Sequence, residues 1–111
     1  MNKYIFVFIL LGFLVMTSTN AAIYKGQKIF IKKCLKCHDG GQFFVAEKTM
    51  RQWKKLLKKK GLGLSNLHLE NKKAKKSWKY FSSKKYTKKS KHLKHFVVEY
   101  AKDSGNAPAC D

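Results

Sequence analysis

The sequence predicts an all-α fold, a single domain of three to five short helices. Two patterns carry that expectation: no segment alternates apolar and polar residues with a period of two, and several repeat apolar residues at spacings of three and four. Length supplies the third observation. The 111 residues make one domain, and no internal repeat or long linker divides them.

The chain opens Met1-Asn2-Lys3, continues as an unbroken apolar run from Tyr4 to Met16, and turns to Thr17-Ser18-Thr19-Asn20-Ala21-Ala22. Charged, apolar and small residues in that order form a secretory signal peptide, with cleavage expected after Ala21 or Ala22. A bilayer-spanning helix needs roughly 20 apolar residues, so the run is too short for a retained anchor. Cys34 lies too far along to be lipidated. Residues 1–22 are therefore expected to direct export to the periplasm, leaving 23–111 as the working domain.

From Ala22 to His38, Ile23, Gly26, Phe30, Cys34 and Cys37 share one side of a short helix, which Asp39-Gly40-Gly41 stops. The apolar stretch from Gln42 to Ala46 reads as a loop packed on a hydrophobic cofactor. Lys48 to Lys60 is a second helix, with Met50, Trp53, Leu56 and Leu57 on its inner face and Gly61 and Gly63 at its end. Leu64 to Glu70 follows as a turn or short helix, with His68 between two leucines. Asn71 to Tyr86 is a third helix, irregular at its end, presenting Ala74, Trp78, Phe81 and Tyr86. Lys91 to Lys102 is the clearest late helix, with Leu93, Phe96, Val97 and Tyr100 as its stripe and Ser90 as N-cap. The tail from Ala107 to Asp111 is irregular.

The chemistry concentrates in Cys34-Leu35-Lys36-Cys37-His38. Two cysteines separated by two residues can bond both vinyl groups of one haem, and the next histidine reaches the iron as proximal ligand. Three rival readings compete. A structural zinc site needs four ligands, and only the distant Cys110 and scattered histidines could complete one. A thioredoxin-like dithiol needs a βαβ context, whereas these flanks read as helix. A plain disulfide suits an exported protein but leaves His38 and the aromatic excess without a role.

The spacing around the motif resembles class I monohaem cytochromes c, in particular short lysine-rich periplasmic ones. Gly26, Phe30 and Cys34 stand at the family's intervals, a glycine four residues before an aromatic and eight before the first cysteine. The resemblance implies a cytochrome c-like domain around one covalent haem c, held by Cys34 and Cys37 with His38 on the iron. It also implies that the first helix crosses the last closely, glycine against an aromatic, with Phe96 and Tyr100 the matching candidates. Two departures stand out. The family's proline after the motif, whose carbonyl orients the proximal histidine, is missing, so some other carbonyl must serve. No methionine follows Met50, so the family's usual distal ligand has no counterpart.

Four side chains could bind the distal face. His68 is the first choice, as an imidazole between leucines that needs a partner. Met50 is the second, though a methionine on an apolar helix face more often fills core. His92 and His95 have lysine neighbours and are expected to face solvent. An open iron would mean gas binding or peroxidase-like catalysis.

Lysine supplies 24 of the 25 basic residues, against 6 acidic ones, for a formal charge of +19. Such a field calls for acidic partners, here acidic redox proteins, with an anionic membrane as a further surface to touch. The near absence of arginine argues against base and phosphate recognition, and export removes the chain from nucleic acid. Cys110 has no partner within the chain once Cys34 and Cys37 hold haem, so a Cys110-linked dimer is one expectation and a shielded thiol the other. The expected function is that of a periplasmic single-electron carrier between respiratory redox proteins, with no group acting as acid, base or nucleophile. A haem-free basic binding protein is the remaining alternative.

Overall fold

A computed structural model of the chain describes residues 20–107, and the regular elements in that range are all helical. The all-α expectation therefore holds for these residues. Most of the expected signal peptide and the thiol of Cys110 lie outside them, while residues 20–22 already belong to the first helix.

Helix α1 (residues 20–29) runs straight into a π-helical turn at Phe30–Cys34, closed by the Leu35 amide donating to the Phe30 carbonyl at 3.2 Å. Apolar spacing locates a helix but does not reveal a widened turn, a feature that often marks functional sites. The inner face of α1 crosses the last helix at Gly26. A Cβ there would collide with the His92 carbonyl oxygen and sit 2.7 Å from the Phe96 Cβ. One turn on, the Phe30 and Phe96 rings pack with centroids 5.4 Å apart. The expected crossing of glycine against an aromatic is thus formed, with Phe96 as the aromatic and the Tyr100 ring tilted against it at 5.3 Å.

Gln42–Val45 is a one-turn helix, α2, where a loop was expected. Val45 is fully buried, and its carbonyl accepts a 2.8 Å hydrogen bond from the buried Trp53 indole. Burial of that side chain holds the segment in a turn tight enough to be helical.

Helix α3 (Met50–Leu69) starts from a capping box in which the Gln52 amide donates to Thr49 Oγ1 at 3.2 Å and the Thr49 amide to Gln52 Oε1 at 2.9 Å. Two arms make up this helix. Lys58 is extended, and Lys59, Lys60 and Gly61 are left-handed, with φ of 51°, 57° and 76°. The first arm therefore ends before Lys60, and Gly63 lies inside the second arm rather than ending the first. Gly61 packs directly on the Tyr86 hydroxyl, which donates to the Gly61 carbonyl at 2.6 Å. Only glycine has both the backbone freedom and the space for that contact.

The expected third helix is two elements. A 3₁₀ helix (Lys72–Ser77), capped by Asn71 accepting from the Lys73 amide at 2.9 Å, leads into α4 (Trp78–Phe81). Tyr86 belongs instead to α5 (Lys84–Glu99), which begins earlier than the expected Lys91 and stops short of Lys102. Its N-cap is Ser83, accepting from the Tyr86 amide at 3.2 Å, whereas Ser90 is buried within the helix and donates to the Thr87 carbonyl. Lysines around a single aromatic hid the first turns of α5. A serine able to cap was enough to start them.

Phe30, Val45, Trp53, Leu57, Leu93, Phe96, Val97 and Ala101 form one core, with Tyr86 and Phe81 buried beside it. After α5 the chain returns to α3: the Lys102 amide donates to the Lys48 carbonyl at 2.9 Å, and Asp103 accepts from the Met50 amide at 2.8 Å. That places a carboxylate at the positive end of α3. Among the described residues no helix is long and apolar enough to cross a membrane.

The α1–α5 crossing leaves no room for a side chain. Gly26→Ala is expected to destabilise the fold by about 1–3 kcal/mol, the usual cost of overpacking, read as a lower urea midpoint at unchanged slope. An unchanged midpoint would contradict the close approach.

Candidate functional site

The π turn delivers Cys34 to the edge of the core, half-buried, and leaves Cys37 exposed. The Cys37 and His38 amides both donate to the Cys34 carbonyl, at 3.2 and 2.9 Å, so the motif folds as one tight turn. Both thiols are free. Burial, and then the neighbouring Cys37, push the Cys34 thiol up to about 12. A thiol this reluctant to ionise is a poor nucleophile and a poor dithiol redox centre.

His38 leaves the motif turn with its ring stacked on Phe44, centroids 4.3 Å apart and planes at 22°. Phe44 is carried by α2 and met edge-on by Trp53 at 6.3 Å, the same residue that hydrogen-bonds Val45. An aromatic face thus orients His38 where a carbonyl was expected to. The segment expected to be a cofactor-packing loop supplies that face from a helical turn.

His68 stands near the end of α3. Its Nδ1 is 2.8 Å from the Leu64 carbonyl oxygen. A carbonyl only accepts, so Nδ1 carries the proton and Nε2 keeps a free lone pair. The ring stacks on Phe81 at 4.1 Å and 24°, and Phe81 meets Tyr80 at 5.2 Å and Tyr86 at 4.9 Å. The backbone is held as well, since the Trp78 indole donates to the His68 carbonyl at 2.7 Å. Ring, tautomer and backbone each have their own restraint.

These two histidines meet. The His38 and His68 ring centroids are 6.1 Å apart and their planes are nearly perpendicular, at 86°. With metal–nitrogen bonds of roughly 2 Å and about 1.1 Å from nitrogen to ring centre, imidazoles on opposite sides of one metal ion hold their centroids about 6 Å apart. The spacing is one that two imidazoles on a single metal ion would have. Among the described residues no three or more His, Cys, Asp and Glu side chains gather as a metal site of their own.

The other distal candidates lie elsewhere. Met50 opens α3 and packs against the core. His92 sits within α5 against α1, with Nδ1 buried and unpartnered rather than facing solvent, while His95 on the same helix is exposed. Sequence reasoning found both histidines of the facing pair and read Phe81 and Tyr86 as helix-face aromatics, but it did not single out Phe44 or place Phe81 against His68. The Phe43-Phe44 pair, one residue after the double glycine, was the available signal.

Charge surrounds this centre. Burial, then His68, lower the His38 pKa, with Glu47 opposing. Lys25 and Lys28 of α1, Lys32 and Lys33 of the π turn, and Lys85 and Lys89 of α5 enclose a cleft of about 250 Å³ with Tyr80 and Ile29, and no acidic side chain lines it. Burial, then Cys34, push the Tyr80 hydroxyl up to about 12, which reflects how closely this cleft adjoins the motif.

The buried face of His92 gives a pH test on the haem-free chain. Burial, then Lys25, Lys91, His95 and Lys89, lower its pKa from the ordinary 6.5. The unfolded chain therefore binds the proton first, and stability falls as pH drops from about 6.5 toward the folded-state value, then levels off. A melting series from pH 8 to 5 should decline over that window, and His92→Gln should shrink the decline. A flat or rising series would contradict the assignment.

The chain matches no family model, no curated protein and no solved structure.

Proposed function

We propose that this chain is a monohaem c-type protein that carries single electrons in the periplasm. Cys34 and Cys37 would hold haem c covalently, and His38 and His68 would bind its iron. The observation that carries the reading is a second imidazole, on a separate helix, 6.1 Å from the histidine of a Cys-x-x-Cys-His motif. Met50 is the weaker choice because it is engaged in the core.

Haem c would supply a one-electron ferric–ferrous couple, and two imidazole ligands favour a lower potential than a histidine–methionine pair. The chain's own residues prepare that site. Phe44 and Phe81 fix the two rings, and the Leu64 carbonyl fixes the His68 tautomer. Electron transfer then depends on docking, and the lysine cleft beside Cys34 would steer acidic redox partners with strong sensitivity to salt. Contact with an anionic membrane and a disulfide through Cys110 belong to the same proposal as secondary interactions.

The test is periplasmic expression of the full chain together with haem-attachment machinery. The expected product is red, with an intact mass equal to the chain cleaved near Ala22 plus one haem. Cys34→Ala with Cys37→Ala should abolish the covalent adduct. His68→Ala should turn the iron high-spin and open it to carbon monoxide, while Met50→Leu should leave the spectrum unchanged. A colourless wild-type product lacking the haem mass would contradict the proposal.

A further inference from the structure

The second arm of α3 has two unlike faces. With 3.6 residues per turn, Leu64, Ser65 and His68 fall on the side that meets the aromatic cluster, and Leu62, Gly63, Asn66 and Leu67 fall on the reverse. That reverse side is not covered. Leu62 and Leu67 are 51% and 56% exposed, and they form with Leu56 of the first arm the floor of a groove of about 490 Å³. Lys48, Lys55, Lys58 and Lys59 stand around it, and no acidic side chain lines it.

Three properties define what such a groove can take. Its volume falls within the range of small-molecule sites, whereas a protein partner needs roughly 800 Å² of surface on each side. Its floor is leucine and its rim is cationic, which selects an apolar body with an anionic end. A second copy of this chain, at +19, would bring lysines to lysines. One rim residue is also held under strain, since Lys59 is left-handed at φ 51°, where glycine would be at ease. Strained backbone of this kind gathers at ligand sites.

We propose that this groove binds a single-chain anionic amphiphile, its acyl chain on Leu56, Leu62 and Leu67 and its head group among the lysines. The inference is independent of haem, because the groove and His68 lie on opposite faces of the arm. Binding can be read whether or not the cofactor is attached.

The experiment is calorimetric titration of the full chain with dodecanoate below its micelle concentration. Dodecylphosphocholine and acetate serve as the tail with a zwitterionic head and as the head without a tail. The expected result is one site per chain for dodecanoate, at least tenfold weaker binding of dodecylphosphocholine, and none detected for acetate. The exposed leucines can be changed without opening the core, so Leu62→Ser with Leu67→Ser should weaken binding at least tenfold at an unchanged melting temperature. Lys59→Gly suits the backbone and should weaken binding severalfold while melting no lower than the wild type. Many sites per chain, equal binding by the serine variant, or equal binding of acetate would overturn the proposal. So would displacement of dodecanoate by a polyglutamate peptide, which marks an acidic-protein surface. Dimerisation in ultracentrifugation that the serine variant abolishes would likewise overturn it in favour of self-association.

Discussion

The contact between Gly61 and Tyr86 decides where the second arm of α3 goes, and with it where His68 stands. Without the left-handed run Lys59-Lys60-Gly61, α3 would continue straight past the core and carry His68 away from the motif. Two left-handed lysines cost roughly 1–2 kcal/mol each. The buried hydrogen bond from Tyr86 to the Gly61 carbonyl and the edge-to-face contact of Tyr86 with Phe81 offset part of that cost. Phe81 in turn carries His68, so backbone strain at one end of the arm becomes ring position at the other.

The opposite ring is placed by a separate set of contacts. Gly26 lets α1 lie against α5, Phe30 packs on Phe96, and the π turn then swings the cysteine motif toward α2, where Phe44 receives His38. Two independent routes through the core thus end at imidazoles 6.1 Å apart. Around them lies a chain with few acids, so its lysines repel one another across a small core. A covalently held macrocycle would add the apolar area and the cross-link that such a domain lacks.

Much of this was legible in the sequence because it rests on local signals. The apolar stripe of Leu93, Phe96 and Val97 and the glycine at Gly26 are short-range patterns, and each sits where it was expected. What escaped depends on tertiary contact. The start of α5 at Lys84 is hidden because its first turns bury only Tyr86, and Ser83 looks no different from Ser90 until one of them caps. Gly61 and Gly63 are alike in sequence, yet only Gly61 faces a tyrosine hydroxyl and breaks the helix. Phe44 gave no periodic signal at all. His68 could be favoured from its leucine neighbours, but its place opposite His38 depends on the bend of α3.

Under the proposed function, His38 and His68, whose rings lie 6.1 Å apart at 86°, would bind one iron. Electron paramagnetic resonance of the ferric haem-loaded protein at low temperature tests that assignment most directly. Perpendicular imidazoles predict a low-spin signal of the strongly anisotropic type, lost in His68→Ala. A high-spin signal from the wild type, or a low-spin one unchanged by His68→Ala, would contradict the account.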